Sequence, residues 1–141
     1  MINIAQFFPV APEKLFSYFV DPQKFARWFF PDDCVVDEAM LEGERGGRFL
    51  VRMRDANGAT LLAKGVVLDI VPPVSLSFTW QWQSEGFVQN ETRVDIAISA
   101  ERGGARLTIV HSGVVADEKV IHVDGWQSAL RKLAHLNAEP P

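Results

Sequence analysis

Val74-Ser75-Leu76-Ser77-Phe78-Thr79-Trp80-Gln81-Trp82 holds five apolar residues in strict alternation with Ser, Ser, Thr and Gln. A period of two places one set on the core side of a half-buried antiparallel strand and the other in solvent. Phe49, Val51 and Met53 alternate in the same way with Leu50, Arg52 and Arg54. So do Thr92, Val94, Ile96 and Ile98, and then Leu107, Ile109 and His111. A short strand over Ile2, Ile4, Gln6 and Phe8 ends at Pro9, and Cys34 to Asp37 is a further short candidate. The turns between strands carry the expected residues. Gly46-Gly47 marks a turn or bulge that needs positive φ, and Asp55-Ala56-Asn57-Gly58 is a hairpin signal. Thr60 to Val71 returns as a strand bent at Gly65 and broken by Pro72-Pro73. Ser84-Glu85-Gly86 and Arg102-Gly103-Gly104 make the later turns.

Helical spacing occurs in three places. Pro12 opens a segment with Leu15, Phe16 and Phe19 on one side, and Glu13 in its first turn suits the helix dipole. Asp21-Pro22 reads as an N-cap and first-turn proline for a second short helix carrying Phe25, Trp28 and Phe29. From about Asp117 to Leu136, the residues Val123, Trp126, Leu130, Leu133 and Asn137 step by three or four and form one stripe. Glu118, Lys119, Arg131 and Lys132 fall on or near the other side, and Glu139-Pro140-Pro141 reads as a frayed end. The predicted order is strand, two short helices, six strands and one long helix. This is an α+β architecture: a curved antiparallel sheet wrapped around a long C-terminal helix, with two short helices after the first strand. One helix cannot cover the full width of such a sheet, so a cavity is expected at an end.

Composition narrows the function. A chain of 141 residues predicts a single domain over 1–141. Its 48% hydrophobic content is enough for a full core. Ten Phe and four Trp against one Tyr is a heavy load of apolar rings, which pack cores and also line small-molecule pockets. Net charge −4 argues against nucleic acid, which needs a basic face. A single cysteine, Cys34, excludes an internal disulfide. No signal peptide and no membrane-length apolar run are visible, so the expected location is the cytoplasm, with no membrane partner.

Chemistry-bearing residues are few. His111 shares a strand face with Leu107 and Ile109, so it points inward or to a cavity rim, where it orients a ligand or serves as a structural hydrogen-bonded histidine. His122 and His135 read as surface residues of the last helix. Three scattered histidines and one cysteine show no metal-ligand spacing, and no cofactor motif is present. Asp32-Asp33, Asp37-Glu38 and Glu42 with Glu44 read as a solvated acidic edge. Asp69 lies in an apolar strand: facing inward it must be paired or protonated, while a bulge near Gly65 would turn it outward. Cys34 has no basic neighbour in sequence to activate its thiol. Glu44-Arg45-Gly46-Gly47 lacks the Lys-Ser/Thr of a phosphate loop.

Several segments together resemble the SRPBCC, or START-like, helix-grip superfamily, and within it the branch named for the activator of the heat-shock-ninety ATPase. They are Ala11-Pro12-Glu13-Lys14-Leu15-Phe16, Asp21-Pro22 with Trp28, Gly46-Gly47-Arg48-Phe49, Gly65 through Pro73, Leu107 through Gly113, and Gly125-Trp126-Gln127-Ser128-Ala129-Leu130. The resemblance implies a helix-grip fold over nearly the whole chain. It is compatible with lipid carriers, cyclases and co-chaperones, and does not choose among them. The residues favour binding of a small hydrophobic or amphipathic molecule in an internal cavity, without catalysis. The expected lining is Trp28, Phe49, Val51, Met53, Phe78, Trp80, Trp82, Trp126 and Leu130, with His111 as a polar group at the rim. A co-chaperone-like module that contacts a protein partner or a second copy of the chain is the alternative. A cyclase- or hydrolase-like enzyme is a further one, and only His111 with Asp69 offers it an acid–base pair.

Overall fold

The alternating segments pair into one curled antiparallel sheet in a computed structural model that describes residues 1–84 and 87–138. The strands are β1 (Ile2–Phe8), β2 (Val35–Leu41), β3 (Arg48–Arg54), β4 (Thr60–Val71), β5 (Ser75–Ser84), β6 (Phe87–Val88), β7 (Thr92–Glu101) and β8 (Gly104–Ser112). The helices are α1 (Pro12–Val20), α2 (Pro22–Phe25) and α3 (Lys119–Leu136), the last entered through a 3₁₀ turn over Ala116–Glu118. Among the described residues the sheet order is β1-β8-β7-β5-β4-β3-β2, with the two-residue β6 paired to β5.

Local chemistry accounts for the elements. The Asp21 carboxylate accepts hydrogen bonds from the backbone N–H of Gln23 and Lys24, so it caps α2 while Pro22 takes the first helical position. In β3, Phe49, Val51 and Met53 are buried and Arg52 and Arg54 exposed. Each large side chain fully buried in this way contributes about 1.5–3 kcal/mol. The exposed set is tied across to β2 through Arg52–Glu38 and Arg54–Asp37 ion pairs. The acidic edge expected from the sequence is therefore largely a ladder of cross-strand pairs, with Glu42 likewise on Arg48.

Four details differ from the sequence expectation. β2 runs on to Leu41, well past Asp37, because Ala39 and Leu41 pair with Val51 and Phe49. The strand β6 was not foreseen; Glu85 and Gly86 of the turn before it, and Glu139-Pro140-Pro141, lie outside the described residues. The second helix ends at Phe25, and Trp28 and Phe29 follow it in turns. The buried stripe of α3 begins at His122, four residues before Trp126; Val123 is only half-buried.

Two glycines are required by the sheet. Gly46 adopts φ +83°, a left-handed conformation that suits only glycine at low cost. At Gly65, a Cβ would lie 1.8 Å from the Thr79 carbonyl oxygen, because β5 crosses closely where β4 bends. Register then shifts between Val67 and Asp69, and this bulge turns Asp69 outward onto Arg45, at 3.0 Å. Backbone atoms cannot yield as a flexible side chain does, so Gly65→Ala is expected to cost at least about 2–3 kcal/mol, and Gly46→Ala about 1 kcal/mol. Denaturant unfolding of both variants checks this, and equal, negligible losses would contradict the close approach.

Candidate functional site

His111 is the meeting point of helix and sheet. It is fully buried on the inward face of β8, opposite Val94 of β7. The indole Nε1–H of Trp126, on α3, donates to His111 Nδ1 at 3.1 Å. Nδ1 must therefore be the acceptor, so Nε2 carries the ring proton and donates to Thr92 Oγ1 at 2.7 Å. The Thr92 hydroxyl in turn donates to the Trp80 carbonyl at 3.1 Å. Every donor in this chain has an acceptor, and α3 is bonded through it to β8, β7 and β5.

Beside this chain lies a small chamber of about 70 Å³, walled by rings of Phe29, Trp80, Trp82 and Trp126 and by Met53 and Ala129. It is mostly apolar. His122 is its one histidine, 6% exposed, packed edge-on against His111 at 4.8 Å between ring centres. A larger open vestibule of about 660 Å³ adjoins it, and Pro31, Trp82, Ile121 and Gly125 line both spaces. The loop that closes one side is pinned to α3. Lys132 Nζ donates to the Phe30 carbonyl at 3.0 Å and to Asp32 at 2.6 Å, and Arg131 reaches the same carboxylate at 2.9 Å. These two cations hold the Asp32 carboxyl well below the usual carboxylate range.

Of the ten residues expected at the site, four line the chamber, five are buried in the core and one, His111, belongs to the hydrogen-bond chain. Met53, Trp80, Trp82 and Trp126 line the chamber. Phe49, Val51, Phe78 and Leu130 are buried in the core, and Phe49 supports Trp80 with ring centres 5.4 Å apart. Trp28 is fully buried, its indole N–H donating to the Tyr18 carbonyl at 2.9 Å, and it holds α1 to the turn after α2. His111 is not at a rim: both its ring nitrogens are taken by protein partners. His122, read as a surface residue, is buried and lines the chamber, while His135 is exposed. Phe29, Phe30, Pro31, Ile121, Gly125 and Ala129 were not named as lining and do line it. Stepping back four residues from Trp126 instead of three would have found His122 and, with it, the face that carries Ala129.

The family model described as Activator of Hsp90 ATPase homolog 1-like protein matches residues 9–138. The chain belongs to this family. No curated protein matches the chain. Among solved structures, the AHSA1 protein of Silicibacter pomeroyi is 33% identical, covering 96% of this chain and 95% of that one, with a TM-score of 0.83. A protein of Chromobacterium violaceum is 24% identical over 99% of this chain and 97% of that one, with a TM-score of 0.89. A protein of Nitrosomonas europaea is 17% identical over 96% and 92%, with a TM-score of 0.81. These likenesses place the chain in the helix-grip superfamily, within the branch of homologues of the activator of the Hsp90 ATPase.

Within this family member the Cys34 thiol and the His111 and His122 rings are held neutral by burial. Burial pushes the Cys34 thiol up to about 11, helped by the charge of Asp33, so no thiolate forms at neutral pH. Asp69 is exposed on Arg45, far in role from the buried His111, so the acid–base pair weighed from the sequence is not assembled. Among the described residues, no cluster of three metal-ligating side chains occurs, and no helix is long and apolar enough to cross a membrane.

Burial lowers the His111 ring from 6.5 to about 3, with the nearby His122 adding in the same direction. A second proton would also set Nδ1–H against the Trp126 N–H. The unfolded ring takes up a proton near its ordinary value, so between those two pH values unfolding binds protons. Stability from this ring is complete above about pH 6.5 and falls as pH drops toward 3, by up to about 1.4 kcal/mol per pH unit. In ¹⁵N-edited NMR, His111 is expected as the Nε2–H tautomer and not to titrate between pH 8 and 5. A ring that titrates near 6.5 would contradict the hydrogen-bond chain.

Proposed function

We propose that this chain binds a small hydrophobic or amphipathic molecule between α3 and the sheet, without catalysis. Gly125 is the observation that carries this reading. It lies inside α3, where glycine costs about 1 kcal/mol relative to alanine. Its backbone does not have positive φ, and a Cβ built there meets nothing within 4 Å. Neither conformation nor packing therefore calls for glycine. Gly125 lines both the chamber and the vestibule, so its missing side chain would leave a passage between them. An aromatic-walled chamber takes an apolar group by shape and burial, at about 25 cal/mol per Å² before ordering costs.

A second reading is supported by membership of the family: a protein-interaction module like the ATPase activator for which the family is named. Val120 and Ile121, 69% and 66% exposed at the start of α3, offer apolar contact beside the mouth.

The two readings separate on one substitution. Gly125→Leu improves helix propensity and fills the passage. The variant is expected to melt at or above the wild-type temperature, and to lose at least about tenfold in affinity for N-phenyl-1-naphthylamine, a neutral dye bright in apolar surroundings. Met53→Trp narrows the same chamber from the sheet side and should act likewise, at a cost of about 1–3 kcal/mol in stability. Undiminished binding in the Leu variant, or no binding by the wild-type chain, contradicts the pocket and leaves the interaction module.

A further inference from the structure

The vestibule is not neutral. Among the described residues, four carboxylates line it, from Asp32, Asp33, Asp55 and Asp124, against one cationic side chain, Arg131. Arg131 and Lys132 are both spent on Asp32. Among the described residues, Asp33, Asp55 and Asp124 have no ion-pair partner. They come from three different elements: the loop after α2, the β3–β4 turn and α3. Their carboxylates therefore line a shared space without a cation of their own, one oxygen of Asp55 also accepting from the backbone N–H of Asn57 and Ala59. The thiol of Cys34, also in the vestibule, feels both Asp33 and Asp55, which raise it further than burial alone, with Lys132 acting in the opposite direction. This local field is negative.

An acidic rim alone would be a solvated surface. Here it adjoins a buried polar group that lacks a partner. His122 lines the apolar chamber, is 6% exposed, and makes no hydrogen bond among the described residues. Its ring nitrogens are also not sealed from open space, as the unpartnered Trp80 Nε1 is. Burial lowers its proton affinity, so it offers a lone pair in place of a charge. On α3, His122 and Asp124 flank Gly125, the former lining the chamber and the latter the vestibule.

We propose that the site takes an amphipathic amine: a single apolar ring or short chain in the chamber, and a protonated nitrogen at the passage, between His122 and the carboxylates of Asp33, Asp55 and Asp124. The inference rests on the pocket reading above and specifies the chemical class of its ligand. The ring is held by Trp80, Trp126 and Met53. The ammonium donates to the neutral imidazole and gains the field of the rim. An anionic head of the same shape meets that field as repulsion and presents no proton to His122. The chamber's small volume limits the apolar part to about one ring, and the vestibule leaves the head room for further polar substituents that Gln83, Gln89 and Gln127 can meet.

Three probes of common shape test this: 2-phenylethylamine, 2-phenylethanol and 3-phenylpropionate, each titrated into the protein by calorimetry at low and high salt. The amine is expected to bind roughly tenfold or more tighter than the carboxylate, with the alcohol between them, and the preference should shrink as salt rises. Asp33→Asn with Asp124→Asn should erase most of the preference while leaving the melting temperature and dye affinity unchanged. Equal affinities, a tighter carboxylate, or a preference that survives the double variant overturns the amine inference and leaves the pocket intact. If none of the three binds, the inference fails, and if the neutral dye also fails to bind, the pocket reading fails with it.

Discussion

The structure depends on how one helix is held across a curled sheet. Hydrophobic contact is non-directional and would draw α3 down until all apolar surface was covered. The relay from Trp126 through His111 and Thr92 to the Trp80 carbonyl is directional. It fixes the helix at one height and one rotation over β8, β7 and β5. Each bond contributes only about 0.5–1.5 kcal/mol net, but breaking one strands a buried group at about 1–3 kcal/mol. The helix is therefore more costly to move than its bond energies alone suggest. This is a reason for a histidine at position 111 that has no need of ligand chemistry: a neutral imidazole is both acceptor and donor, and it links the Trp126 indole on α3 to the Thr92 hydroxyl on β7.

The chamber exists because the clamp sits at its edge. The relay holds the Trp126 indole at one end and the Trp80 backbone carbonyl at the other, and the two rings, 5.6 Å apart, form one wall of the chamber. The opposite wall is fixed by charge. Lys132 and Arg131 reach from α3 to Asp32 and hold the loop of Phe29, Phe30 and Pro31 in place. These surface-facing pairs are individually weak. Together with the Lys132 bond to the Phe30 carbonyl, they define where the loop lies. The helical Gly125 then puts no side chain where the chamber and the vestibule adjoin. Directional bonds, a pinned loop and a missing side chain are three different physical devices that converge on one open space.

Much of the fold was legible from periodicity. Alternation at Phe49-Val51-Met53 and Phe78-Trp80-Trp82 named the inward faces, and Asp21-Pro22 named the cap of α2. The site was harder to read, for identifiable reasons. Alternation gives the face of a residue but not its depth, so Phe49, Val51 and Phe78 were indistinguishable from Met53 and Trp80. His111 and Thr92 each stand at the end of an inward-facing set, but their adjacency depends on the β7–β8 register, which no local pattern states. His122 was hidden by an ambiguity of helical spacing: steps of three and four from Trp126 lead to different residues, and only packing selects between them. The turns before β2 carry no period at all, so Phe30 and Pro31 gave no signal of facing the chamber. Asp69 was undecidable because a bulge of one residue reverses the parity of everything after it.

The central claim is that the helix is clamped to the sheet by the relay at His111, so that the chamber persists in the native state. Hydrogen exchange of the Trp126 indole Nε1–H measures this most directly. On this account the proton is released only when the whole chain unfolds, so its exchange free energy should equal the unfolding free energy measured by denaturant. Exchange several kcal/mol easier than global unfolding, with the sheet amides still protected, would show that α3 lifts from the sheet on its own. That result would contradict the clamp as the basis of the site.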